Sequence, residues 1–375
     1  MQTIMNKSII INETEYNAGN PLIIAELGTS HGGDAHKAKE TAAAAADSGA
    51  GCVKLQLVFA DEILHPNTGE VSLPGGKIRL YDRFKQLEQP IDFFAELKQY
   101  IESLGLLFLC TPFGPKSASL LHALQPKMVK IASPELNYTA LLRHIAGWDI
   151  PVLLSTGVSM LGDIEEALQI LGSSHSDICL LHCVTAYPAP ETDYNLRALH
   201  SLSSVFGLAV GVSDHSLDAE LVPALAVTQG AAVIEKHFCL SREGAGLDDP
   251  IALPPKEFSR MAQAVKKAAK AGPLETTSGF CRQHGKALIE QILGSGVKSL
   301  APSERENYAR TNRSLHALYD IKEGDVLKPE DFAALRTEKN LRPGLPPSWS
   351  ERITGKTARR PIPAGEGICF EDLVN

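Results

Sequence analysis

Short apolar runs alternate with amphipathic stretches over roughly the first 270 residues, with connections of the length usual in α/β folds. Eight runs are rich in Val, Ile and Leu: Leu22–Leu27, Cys52–Val58, Leu106–Phe113, Met128–Ser133, Val152–Gly157, Ile178–Val184, Leu208–Ser213 and Ala231–Phe238. Each is followed by a helical pattern. His36–Ser48 is alanine-rich and stops at Gly49, and Pro90 opens Ile91–Leu104. Met160–Leu171 and Pro255–Ala271 carry the 3.6-residue apolar period. Strands this continuously apolar are covered on both faces. Eight strand–helix units in succession predict a closed parallel TIM (β/α)8 barrel. A doubly wound sheet is the runner-up, but Gly28, Gly32 and Gly33 do not fit GxGxxG.

After Gly272 the alternation stops. Residues 1–271 are read as the barrel domain and 272–309 as a linker with some helix around Lys286–Leu293. Residues 310–375 form a small, loop-rich domain with short runs at Ser314–Tyr319, Gly324–Leu327 and Ile368–Phe370. A unit of that size is marginal alone and is expected to dock on the barrel.

Composition narrows the function. The formal net charge is -8, so nucleic acid is not expected as the main partner. No apolar run reaches the length of a membrane helix, and the patch Ile9–Ile11 within Met1–Ile11 is too short for a signal peptide. The seven cysteines include no CxxC pair and read as reduced thiols of a cytoplasmic protein.

Reactive residues of such a barrel sit at the C-terminal ends of its strands. There the sequence places Glu26, Lys54 with Gln56, Thr111, Lys130 with Ser133 and Glu135, Ser155, His182 with Tyr187, Ser213 with His215, and Glu235-Lys236-His237. Single hydroxyls at such ends could be helix caps. Polar residues at all eight ends imply a polar ligand. Lys54 and Lys130 supply charge for an anion, and Thr111, Ser133, Ser155 and Ser213 supply directed donors. His215 and His237 end adjacent strands and could share one metal ion, leaving room for water and substrate oxygens. A Schiff-base lysine, Lys130 or Lys54, is the competing idea. Gly355-Lys356-Thr357 lacks the first glycine of a phosphate loop, and Arg359-Arg360 reads as a solvated face.

In order, the chain carries Ala25-Glu26-Leu27-Gly28-Thr29-Ser30-His31-Gly32-Gly33, Val53-Lys54-Leu55-Gln56, Thr111-Pro112-Phe113 and Lys130-Ile131-Ala132-Ser133-Pro134-Glu135-Leu136. Ser155-Thr156-Gly157, His182-Cys183 with Tyr187-Pro188, Ser213-Asp214-His215 and Glu235-Lys236-His237-Phe238 follow. In these motifs the chain resembles the N-acetylneuraminate (sialic acid) synthase family over nearly its whole length. Asn312-Arg313-Ser314-Leu315 and Asp320-Ile321-Lys322-Glu323-Gly324-Asp325 resemble that family's antifreeze-like SAF (β-clip) domain. Gly355-Lys356 falls where that domain usually has Gly-Lys.

The resemblance implies a condensation of phosphoenolpyruvate with an N-acyl mannosamine-type sugar, giving a nonulosonic acid and phosphate. It implies His215 and His237 as ligands of a divalent ion, manganese first, magnesium or cobalt otherwise. Phosphoenolpyruvate would be held by Lys54, Thr111, Lys130, Ser133, Ser155 and Ser213. Glu135 would manage the water proton, with Glu26, Tyr187 and Asp248 on the sugar side. Arg313 would reach the N-acyl group from the other subunit of a domain-swapped homodimer. Ser30 stands where the family usually has asparagine, Asp249 where it has histidine, and Thr337 where a proline follows Arg336. The first two departures lie on the sugar side. A metal-free lyase or aldolase and a non-catalytic sugar-binding protein are the alternatives.

Overall fold

The computed structural model describes residues 7–73, 76–172 and 177–374. The opening residues Met1–Asn6 of the segment read above and the last, Asn375, lie outside that range. Eight strands form one sheet: β1 Leu22–Gly28, β2 Cys52–Leu57, β3 Leu107–Pro112, β4 Val129–Ile131, β5 Val152–Ser155, β6 Ile178–Cys183, β7 Ala209–Asp214 and β8 Ala231–His237. Every ladder between them is parallel, in the order β3-β2-β1-β8-β7-β6-β5-β4. β3 and β4 lie side by side at the seam, so the sheet curls into the expected barrel.

The principal helices after the strands are α1 Ala35–Asp47, α2 Ile91–Ser103, α3 Pro115–Ala123, α4 Thr139–Ala146, α5 Leu161–Leu171, α6 Ala198–Phe206, α7 Leu221–Thr228 and α8 Pro255–Ala271. Their apolar faces pack on the outward side chains of the strands in one large core. The inward side chains obey the period of two. Near the floor they are Leu22, Ile24, Cys52, Leu109, Leu153, Cys179, Leu181 and Val233. Ile9 and Ile11 of a short hairpin plug that floor, both buried. Two residues further along the same faces stand Glu26, Lys54, Thr111, Ser155 and Glu235. One face of each strand thus changes from apolar to polar as it approaches the mouth.

The expected linker is more ordered than its sequence suggests. It opens with α9 Pro273–His284 and α10 Lys286–Leu293. α9 has no buried residue of its own, because it lies over α7, which is buried at every position and supplies the apolar surface. The following segment is pinned to its own barrel mouth. Lys298 donates to Thr156 O at 2.8 Å, and the Glu304 carboxylate accepts from the Val158 and Thr185 amides at 3.0 and 2.9 Å.

The small domain pairs β9 Ser314–Ala317 with β10 Phe332–Leu335. Its other pairings are isolated bridges such as Ile321↔Ile362 and Val326↔Thr357. Leu315, Phe332, Ile353, Ile362 and Ile368 form its core, and Tyr138 of the barrel packs against it. No helix among the described residues is long and apolar enough to cross a membrane.

Candidate active site

The mouth of the barrel opens into a cavity of about 700 Å3. Glu26, Lys54, Thr111, Lys130, Ser133, Ser155, Tyr187, Ser213, His215, His237 and Asp248 all line it. The parallel register brings them level, with Glu26 opposite Lys54, His237 opposite Glu26, and Ser213 opposite Glu235.

At its base lies a buried ion network. Lys54 Nζ is 2.8 Å from Glu26 Oε2 and 3.2 Å from Glu235 Oε1. Lys130 Nζ is 3.8 Å from Glu235 Oε2. Ser213 Oγ donates to Glu235 at 2.9 Å and Gln56 Nε2 to Glu26 at 2.6 Å. Burial opposes charge on Lys54, but Glu235 and Glu26 outweigh it and hold the ammonium above its ordinary value. For Lys130 burial wins, and its ammonium sits below the ordinary lysine value. Burial raises Glu235, yet Lys130 and Lys54 bring it down to about 2. Glu26 is pushed up by burial against the pull of Lys54. Above this network the buried hydroxyls of Thr111 and Ser155 have no hydrogen-bond partner among the described residues. A buried donor left unmatched costs about 1–3 kcal/mol. Two such donors beside two lysines suit an anion with several oxygens.

The imidazoles of His215 and His237 lie with ring centroids 5.4 Å apart. His215 Nδ1 donates to Val184 O at 2.9 Å, which leaves Nε2 as the acceptor, 3.2 Å from the Tyr187 hydroxyl. The Tyr194 hydroxyl receives the His215 amide at 2.6 Å and fixes the backbone behind the ring. His237 is pushed well below the ordinary histidine value by burial and then by His215. Asp248 Oδ2 stands 3.8 Å from His237 Nδ1, its carboxyl pushed up to about 6 by burial and then by Glu26.

Two expected site residues do not reach the cavity wall. Glu135 is fully buried. Its Oε1 accepts from Arg313 at 2.8 Å and from Arg336 at 2.6 Å, so it anchors the small domain. Arg313 is 1% exposed. Its remaining donors go to the carbonyls of Glu62, Ile63, Phe113 and Ala334. All five N–H groups of the guanidinium are engaged, leaving none for a sugar. Within the chain Arg313 meets Glu135 of the barrel.

The wall includes one strand-end residue given no role from the sequence, Glu235, and several residues the strand ends do not contain. Glu235 shares its strand face with His237, and the period of two was the available signal. Arg336, Glu338, Lys339 and Asn340 of the small domain roof the cavity, with Glu70 from the 70–79 hairpin. Asn340 Nδ2 donates to Thr68 O and Glu70 O at 2.8 and 2.7 Å, tying roof to hairpin. No local pattern marks these positions. Gly355 lies in a turn of the small domain, its amide on Leu327 O, which removes the phosphate-loop idea.

Fold and cavity together define a (β/α)8 enzyme whose strand ends set two lysines and two unmatched hydroxyls in one cavity with a pair of imidazoles. Residues 41–274 match the NeuB family and residues 312–374 the SAF domain. The N,N'-diacetyllegionaminic acid synthase of Campylobacter jejuni is 34% identical over 346 residues, 90% of this chain and 96% of that protein. The spore coat polysaccharide biosynthesis protein SpsE of Bacillus subtilis is 32% identical over 369 residues, 97% of this chain and 96% of that protein. Its crystal structure superposes with a TM-score of 0.81 at 30% identity, covering 98% of this chain and 99% of that one. The N-acetylneuraminic acid synthetase of Leptospira borgpetersenii, crystallised with citrate, gives a TM-score of 0.64 at 30% identity over 80% of this chain and 95% of that one. The chain belongs to the NeuB family of sialic acid synthases.

Proposed function

We propose that this enzyme condenses phosphoenolpyruvate with an open-chain N-acyl mannosamine-type sugar, releasing phosphate and a nonulosonic acid. The observation that carries this reading is the pair of unmatched buried hydroxyls, Thr111 and Ser155, beside Lys54 and Lys130. Those four groups and the Ser133 hydroxyl grip the carboxylate and phosphate of phosphoenolpyruvate, and Ser213 joins them by turning its proton from Glu235. The enol carbon then faces the aldehyde held on the histidine side. Attack forms the C–C bond, water adds at C2, and phosphate leaves with C–O cleavage. Glu26 lines the wall and is pushed up by burial, which suits it to take the water proton. Glu135 acts indirectly, by holding Arg336 at the roof. Tyr187 and Asp248 orient the sugar.

The two histidines fit a divalent ion, manganese first. Burial and then His215 keep His237 neutral, and the Nδ1 bond of His215 to Val184 O leaves its Nε2 for coordination. Among the described residues no third His, Cys, Asp or Glu completes a cluster, so substrate and water oxygens would fill the other positions. Such an ion supplies Lewis-acid polarisation of the aldehyde oxygen.

The test is a phosphate-release assay over N-acetylmannosamine, its 6-phosphate and di-N-acetylated relatives. Release should require both substrates, stop with chelator and return with manganese. Full activity in excess chelator refutes the metal. Borohydride trapping of a Lys130 adduct would instead establish a lyase.

A further inference from the structure

The segment between β8 and α8 supplies Leu247, Asp248, Pro250 and Ile251 to the cavity wall. Its base is closed by the Cys239 amide on Leu253 O and the Leu253 amide on His237 O. Asp249 differs from its neighbours. It is 1% exposed and does not line the cavity. One carboxylate oxygen accepts the Ser30 hydroxyl from the loop after β1, and the other accepts the Gly246 amide at 2.8 Å. Ser30 is itself 6% exposed. The packing around it has no slack, since a Cβ on Gly246 would lie 2.8 Å from Ser30 Cα.

We propose that the Ser30–Asp249 contact is a latch that sets sugar selectivity by fixing the height of Leu247–Ile251 over the sugar end of the cavity. Neither side chain touches substrate, so both are positioning residues. The inference rests on the sugar-condensing function proposed above. The physical case concerns the carboxylate. Without the Ser30 hydroxyl, one Asp249 oxygen is buried and unmatched, and the segment must shift to rehydrate it. Asp248 is the next residue in the chain and faces His237. A shift of the Asp249 backbone carries that carboxylate with it, and an error of about 1 Å at a binding group is costly.

The experiment uses the full chain, with Ser30→Ala, Asp249→Asn and the double variant. KM for each sugar of the panel is measured against KM for phosphoenolpyruvate, alongside hydrogen exchange of peptides spanning 243–251. Either single change should raise the preferred sugar's KM roughly tenfold or more, as loss of a charge-assisted bond implies. The ranking of the panel should change, while KM for phosphoenolpyruvate moves less than about twofold. The double variant should be no worse than a single one. The 243–251 amides should exchange faster in the alanine and asparagine variants than in wild type. Equal effects on both substrates, an unchanged ranking or unchanged exchange overturns the latch. A wild-type protein inactive with every sugar overturns the proposed function instead, and hydrogen exchange still judges the latch.

Discussion

The cavity has two halves built by different means. Its floor is carried by barrel strands, where ladders fix each side chain and Lys54, Lys130, Glu26 and Glu235 satisfy one another. Its roof comes from loops and the small domain, through Arg336, Glu338, Asn340 and Asp248. A strand-built wall holds charges at fixed spacing, which suits a fixed anion. A loop-built wall changes shape without disturbing the barrel, which suits a variable sugar. On the proposed function, that division puts rate and phosphoenolpyruvate below and sugar choice above.

The largest test of that division is Lys130→Met. It removes one partner of a buried ion pair, a change worth about 3–5 kcal/mol. We expect kcat/KM for phosphoenolpyruvate to fall roughly 150- to 5,000-fold, with sugar KM little altered. A comparable rise in sugar KM would break the comparison. His215→Ala comes next, at about a hundredfold or less. Manganese binding, followed by calorimetry without substrate, should weaken with it. Unchanged manganese affinity would remove His215 from the ligand set. Arg336→Ala comes third. Its guanidinium lines the roof and sits 5.5 Å over the Phe113 ring. Sugar KM should rise about tenfold while that of phosphoenolpyruvate holds. Equal changes in both would show that the roof serves both substrates.

The same division explains what the sequence revealed. Strand-end residues were legible because a strand imposes one period, and a polar residue ending an apolar run stands out. All eight runs became strands, and Lys54, Lys130, His215 and His237 met at one mouth. The roof was not legible, since Arg336 reaches the cavity only through docking of a domain more than 200 residues from Lys54 in the chain. Glu135 and Arg313 looked like site residues from their motifs, yet both are consumed by that docking. α9 was read as linker because its apolar partner surface belongs to α7, which no local pattern on α9 records. Gly324–Leu327 and Ile368–Phe370 are short apolar runs in a loop-rich domain. The small domain closes through single bridges such as Val326↔Thr357 and His316↔Gly367.

The smallest effect sharpens the comparison by separating a selective roof from a merely fragile one. Asp372 is buried in the small domain, away from the cavity. It accepts from Arg342 at 2.6 Å, from Arg360 at 2.6 Å and from the Cys369 amide at 2.8 Å. Arg359 and Arg360 are exposed, as the solvated face predicted for them requires, and Arg360 spends one donor on this carboxylate. Burial pushes the Asp372 carboxyl up, but the Cys369 amide, Arg360 and Arg342 outweigh it and leave it below its ordinary value of 3.8. Because the folded value is depressed, the stabilisation is complete above the ordinary value and fades as pH falls through the folded one. Asp372→Asn should therefore cost about 1–3 kcal/mol at pH 7 by urea unfolding. The gap from wild type should close as pH drops below 3.8. Sugar KM at 25 °C should not move. If it rises as much as in Arg336→Ala, then any weakening of the small domain degrades sugar binding, and the roof's selectivity is only a matter of its stability.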